Sequence, residues 1–247
     1  MAAIIVILGL IIGSFLNVCI YRIPLNKSVV YPGSGCPHCG RKLAWFELLP
    51  VVSCIFIRGR CRYCGTTLSW RYPFVEISTA VIFTYAYIKY GITAEFGAVV
   101  TLASLMTVAS FIDIDYKIIP NRLVLTGLIL GTVIGAARAD AGLAFIGLGF
   151  AAGFGLMFLV AVVSRGQMGL GDVKLSAVMG VFLGWKAVLV AIFFAFTGGA
   201  LYGLFLMAVM GQSRKTAVPF GPFLAVAAVL SVLWSNEIIS WYLNLVK

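Results

Sequence analysis

The sequence predicts an all-α integral membrane protein: a polytopic bundle of about eight transmembrane helices, with a small cytoplasmic zinc-knuckle loop domain between helices 1 and 2. Three observations carry this. Of 247 residues, 62% are apolar and only 11% are charged, where a soluble domain averages roughly 45–50% and 25%. The mean hydropathy is +1.08, more apolar surface than a soluble core of this length can bury. Apolar runs also recur along the chain, several near the roughly 20 residues that span about 30 Å of hydrocarbon.

The runs lie at 2–20, 74–92, 96–112, 121–138, 141–164, 173–185, 187–210 and 220–244, the sixth being short. Glycines mark the fifth (Gly147, Gly149, Gly153, Gly155) and the seventh (Gly198, Gly199, Gly203), as close-packed membrane helices do. The first run does not read as a cleaved signal peptide. No basic residue precedes it and Arg22 follows it, the reverse of the signal-peptide order. It reads as a retained helix with its N-terminus outside.

Threading the runs alternately from that start puts fourteen of the eighteen Lys and Arg residues on inner segments. Lys89, Arg138, Lys186 and Lys247 fall outside. This positive-inside bias predicts that both termini face outward. The net charge of +10 is then a mark of membrane orientation and not of a nucleic-acid partner. Trp185, Trp234 and Trp241 fit an outer aromatic belt. The chain divides into a first helix at 1–20, a cytoplasmic loop domain at 21–73 and a membrane bundle at 74–247.

The loop is polar, basic, rich in Gly, Pro and Cys, and too short for a secure apolar core of its own. Four of the six cysteines form two pairs, Cys36-Pro-His-Cys39 and Cys61-Arg-Tyr-Cys64, each followed directly by glycine. Two such tight turns supply four thiolates to one tetrahedral zinc ion. The gap of 21 residues between the pairs is slightly longer than the usual ribbon spacing. A reducing compartment disfavours disulfides here; redox or merely buried thiols are the bland alternative. Four cysteines close the site, so the zinc is structural, with His38 the only other nearby ligand type.

Only eight residues are acidic, and ionisable groups at or inside a bilayer are costly enough to mark function. Asp113 and Asp115 end the third run; Asp172 opens the sixth, in Met168-Gly-Leu-Gly-Asp172-Val-Lys174. The predicted topology puts both segments at the cytoplasmic face. Two carboxyls meeting there share one proton, so one serves as a base towards water and the other as an acid towards a carbonyl. Gly169 and Gly171 allow a close backbone approach beside Asp172. On spacing and placement alone, an aspartic protease and an ion-binding pair in a transporter fit equally well.

These pieces together resemble the type IV prepilin peptidases, the leader peptidase/N-methyltransferase enzymes of peptidase family A24. The resemblance rests on Gly13-Ser-Phe-Leu-Asn17, Tyr21-Arg-Ile-Pro24, the two cysteine pairs, and Arg71-Tyr-Pro-Phe-Val-Glu76. It continues through Asp113 seven residues before Pro120-Asn121, Gly169-Leu-Gly-Asp172 and Pro219-Phe-Gly-Pro222. It implies Asp113 and Asp172 as the catalytic dyad, with Asp115, Gly169, Gly171 and Lys174 supporting. It implies an aspartic endopeptidase of the bacterial inner membrane that removes the leader of type IV prepilins and pseudopilins. The cut falls after a glycine at the cytoplasmic face, ahead of an apolar helix. In relatives with the cysteine loop it also implies S-adenosylmethionine-dependent N-methylation of the new terminus; Cys36, Cys39, Cys61 and Cys64 would hold Zn2+. Gly59-Arg60 matches a Gly-basic pattern of that loop, or simply opens the second knuckle. A peptidase without methyl transfer, a transporter, and a zinc module that recruits partners are the competing functions.

Overall fold

A computed structural model of the chain describes residues 1–36, 38–56, 59–138, 142–165, 168–211 and 218–246. Among these residues the structure is helical, with two isolated β-bridges and no strand. The chain forms two compact units, Met1–Ile92 and Thr93–Lys247.

In the first unit, α1 (Ala2–Arg22) packs along α3 (Arg71–Tyr90). A 3-10 turn (Trp45–Leu48) and the short α2 (Val52–Phe56) lie in the connection between them. The helices touch through Gly9 and Gly13, one turn apart. A Cβ on Gly9 would stand 2.5 Å from Ala80 Cα, and one on Gly13 would stand 2.6 Å from Glu76 Cα. Glycine therefore sets the interhelical distance, since lipid gives apolar side chains little reason to associate. One turn further, Asn17 Nδ2 donates to the carbonyls of Gly13 (3.3 Å) and Tyr72 (3.2 Å), tying α1 to the start of α3.

The second unit holds α4 (Ala94–Tyr116), α5 (Asn121–Ala137), α6 (Leu143–Val163), α7 (Leu170–Met210) and α8 (Gly221–Val246). The long α7 packs against α5, α6 and α8, and α4 packs against α5 and α8. Thr93 caps α4 by accepting the Phe96 N–H. The helix ends where Lys117 turns left-handed, at φ 55°, and Pro120 precedes the first residue of α5. At the α6–α7 crossing, a Cβ on Gly149 or Gly180 would run into the carbonyl of the other, and one on Gly153 into the carbonyl of Ser176. Ser176 Oγ donates back to Gly153 O at 2.9 Å. Gly127 and Gly131 bring α5 onto Val178, Val181 and Phe182 of α7.

The sixth and seventh runs meet at a break in the helical backbone. The expected sixth and seventh spans, 173–185 and 187–210, lie in the two helical stretches of α7 (Leu170–Met210), which join across a kink at Gly184, with φ 72° and ψ 171°. Glycine reaches that conformation at no steric cost, and the Phe145 ring fills the space a Cβ would need. By length and composition, α1, α4, α6 and α7 are able to cross a membrane; α5 and the Gly221–Ser235 part of α8 are shorter apolar helices. The glycine clusters also divide by role. Gly149 and Gly153 are buried at a crossing, whereas Gly147, Gly155 and Gly203 meet nothing within 4 Å.

Replacing Gly149 or Gly180 by Ala overpacks the crossing, at a cost of about 1–3 kcal/mol. Gly147→Ala, on an open face of the same helix, leaves stability unchanged or slightly raised. Thermal melting of the purified variants in detergent, followed by circular dichroism, separates these outcomes.

Candidate active site and metal centre

The second unit assembles the carboxylates. Asp113 sits in the last turn of α4 and is 7% exposed. Asp172 sits in the first turn of α7, where a helix N-terminus favours a negative side chain. The two are close enough for the charge of Asp113 to act on Asp172. Asp115 lies exposed, two residues and so about 200° further round α4, which turns it away from the pair.

Asp113 has a partner that the sequence motifs did not reveal. The Gly221 N–H, at the start of α8, donates to Asp113 Oδ2 at 2.8 Å across 108 residues of sequence. The first N–H groups of a helix lack intrahelical acceptors, so α8 presents a ready donor to the carboxylate. A Cβ at 221 would stand 2.9 Å from that same oxygen. Pro219-Phe-Gly-Pro222, the last of the segments that carry the resemblance, thus contributes a backbone donor to the site. By contrast, Asp172 Oδ1 is buried with no hydrogen-bond partner among the described residues.

The supporting residues act through packing. A Cβ on Gly169 would crowd Asp172 Oδ2 at 3.3 Å, and one on Gly171 would press on Ile119 at 3.1 Å, in the connection between α4 and α5. The close approach expected at these glycines is therefore to the protein's own chain. Lys174 Nζ donates to Asn121 Oδ1 at 3.0 Å, linking the first turns of α7 and α5.

The first unit assembles the thiols. The Sγ atoms of Cys36, Cys39, Cys61 and Cys64 all lie within 4.8 Å of one another, and Cys36 and Cys64 are 3.8 Å apart. Four ligands about 2.3 Å from a central zinc at tetrahedral corners stand about 3.8 Å apart, so the cluster has the size the ion requires. The knuckles are copies. Cys36 N–H donates to Arg41 O and Gly40 N–H to Cys36 O; Cys61 N–H donates to Thr66 O and Gly65 N–H to Cys61 O. Gly40 (φ 69°) and Gly65 (φ 71°) make the equivalent turns. The Arg41 guanidinium stacks over the Tyr63 ring at 4.3 Å, joining one knuckle to the other.

The thiols sit in unequal electrostatic surroundings. The Cys39 N–H lowers the Cys36 thiol below its ordinary value. The Thr66 hydroxyl and N–H bring Cys64 down to about 6. Against the Arg41 N–H, desolvation and the neighbouring Cys36 and Cys64 thiols hold Cys39 up at about 11. Gly59 and Arg60 open the second knuckle: Leu68 N–H donates to Gly59 O, and Arg60 bridges Thr67.

Comparison with known proteins agrees with this division. A model described as the bacterial peptidase A24 N-terminal domain matches residues 7–90, and the type IV leader peptidase family model matches residues 100–204. A prepilin leader peptidase/N-methyltransferase of Bacillus subtilis (strain 168) is 38% identical, over 99% of this chain and 99% of its own. One from Pseudomonas putida is 33% identical over 94% of this chain and 90% of its own. One from Myxococcus xanthus (strain DK1622) is 38% identical over 84% of this chain and 63% of its own. No solved structure matches. The paired carboxylates, the four-thiol cluster and relatives alignable almost end to end lead to one conclusion: this membrane protein belongs to the prepilin leader peptidase/N-methyltransferase family.

Proposed function

We propose that the chain cleaves the leader from type IV prepilins and pseudopilins with Asp113 and Asp172 as its dyad, and that it then N-methylates the new terminus. The observation that carries the peptidase assignment is the pairing of two carboxyls from distant helices, one held by a backbone donor and the other with a bare buried oxygen. The Gly221 N–H fixes the rotamer of Asp113 and favours it as the group that takes a proton from water. Asp172 gives its proton to the scissile carbonyl oxygen. The water oxygen bonds to the carbonyl carbon, the carbon–nitrogen bond breaks, and the leaving nitrogen gains a proton to become a free amine.

That amine is the substrate of the second activity. The unit Met1–Ile92, matched by a family model of its own, carries this methyl transfer, with S-adenosylmethionine as donor. One zinc ion held by Cys36, Cys39, Cys61 and Cys64 gives the loop its structure and leaves no open coordination position for chemistry. The distribution of Lys and Arg supports an inner-membrane orientation with both termini outside, the loop and the dyad facing the cytoplasm. The kink at Gly184 supports reading α7 as two crossings, in line with a bundle of about eight spans.

Asp113→Ala and Asp172→Ala each lower the rate of leader removal by about 10²–10⁴, while Asp115→Ala cleaves near the normal rate; all three still insert in the membrane. A gel-shift assay of purified prepilin in detergent reads this, and the assignment fails if Asp115→Ala is the inactive variant. Gly221→Ala slows cleavage about 10–100-fold by displacing the carboxylate that it orients.

Metal analysis of the purified chain finds about one zinc per chain. Cys36→Ser and Cys61→Ser each abolish that stoichiometry and lose methyl incorporation. Full zinc retention in both variants contradicts the tetrathiolate centre.

A further inference from the structure

The first unit encloses a cleft that the peptidase chemistry does not use. It offers about 170 Å³ to the centre of a water molecule, room for roughly a dozen waters at 10–15 Å³ each. At about 30 Å³ of liquid per water, that reaches the lower end of small-molecule sites, which run from about 300 to 1,000 Å³. The inner end of α1, the 3-10 turn and the start of α3 line it, and Cys36 and Cys61 form a wall.

Its polar groups are arranged for a cationic ligand. Glu47 and Glu76 line it, 7% and 6% exposed, and neither has a Lys or Arg within ion-pair distance among the described residues. The Ala44 N–H donates to Glu47 Oε2 at 2.8 Å and the Val51 N–H to Glu76 Oε2 at 2.7 Å. These bonds, with the Ser14 side chain on Glu76, orient the two carboxyl groups. The arginines of the lining are engaged elsewhere: Arg22 donates to the carbonyls of Ser28 and Gly33, and Arg62 stands over the Phe46 ring. Asn17 is only 3% exposed; its Nδ2 is committed, but Oδ1 has no partner among the described residues. A buried acceptor left bare is costly, and a ligand donor relieves it. Tyr21 and Tyr72 add aromatic faces, which attract cations and stack on flat rings.

We propose that this cleft, bounded by Asn17, Tyr21, Glu47, Tyr72 and Glu76, is the binding site of the sulfonium methyl donor. The assignment rests on the methyl-transfer reading above. S-adenosylmethionine brings a positive sulfonium, an ammonium, hydroxyl donors and a flat base, the groups that these residues complement. In the transfer, the amine lone pair bonds to the methyl carbon and the carbon–sulfur pair returns to sulfur. The amine proton passes to a carboxylate of the cleft. The product thioether has lost the sulfonium charge, so buried carboxylates hold the donor more tightly than the product.

The test is donor binding to the purified, zinc-loaded full chain in detergent, measured by equilibrium dialysis with S-adenosylmethionine and with S-adenosylhomocysteine. The wild type is expected to prefer the sulfonium. Glu47→Gln and Glu76→Gln are each expected to weaken sulfonium binding about tenfold or more, as loss of a charge-assisted contact does. Thioether binding should move far less, and leader cleavage should be unchanged. Ultraviolet cross-linking of methyl-labelled donor to the wild-type chain, which needs no variant to fold, should label peptides from 14–76. A wild type that binds and methylates, with both variants binding the sulfonium normally or with label only in 93–247, overturns the site and leaves the methyl-transfer reading standing. A wild type that cleaves but neither binds donor nor methylates overturns both.

Discussion

Helices that share an oily solvent cannot rely on burying oil to find each other, and this fold answers with backbone against backbone. Gly9 and Gly13 lay α1 on α3; Gly149, Gly153 and Gly180 lay α6 on α7; Gly127 and Gly131 lay α5 on α7. Each contact lacks the Cβ that would hold the chains apart. The positions of the functional groups follow. Glu76 and Asn17 stand beside the α1–α3 contact because those helices touch. Asp172 stands near Asp113 because α7 is seated at its N-terminal half by Ser176 and the glycines facing it.

Within that frame the two carboxyls are not equivalent, although a motif treats them alike. One ends a helix and meets the amide of another helix's first residue; the other begins a helix and keeps an oxygen bare. The backbone at the start of α8 makes that distinction, with the charge of Lys117 also acting on Asp113. Gly221 belongs to the site by virtue of its N–H and of the side chain it lacks.

Much of this is legible in the sequence wherever local chemistry decides it. Cysteine pairs followed by glycine encode knuckles, because the turn, the ligand spacing and the small residue sit within five positions. Long apolar runs encode helices, because a bilayer leaves the backbone few alternatives. The rest depends on partners that sequence spacing does not name. The alliance of Gly221 with Asp113 spans 108 residues. The break in α7 depends on the Phe145 ring arriving from α6. Asp115 has the composition and neighbourhood of a catalytic group, and only the 100° step of the helix turns it away. Gly147 and Gly149 look alike on paper; one faces open space and the other a carbonyl.

The two knuckles repeat each other bond for bond, and each closes within a handful of residues, so either half forms from local contacts alone. Among the described residues, a stacked arginine and tyrosine and the clustered thiols join one to the other. The 21 residues between the pairs must lose their freedom for the halves to meet, and ion capture supplies the drive for that closure. On the zinc reading proposed above, completion of the first unit would be coupled to metal supply, since ion binding to such a cluster is itself folding free energy.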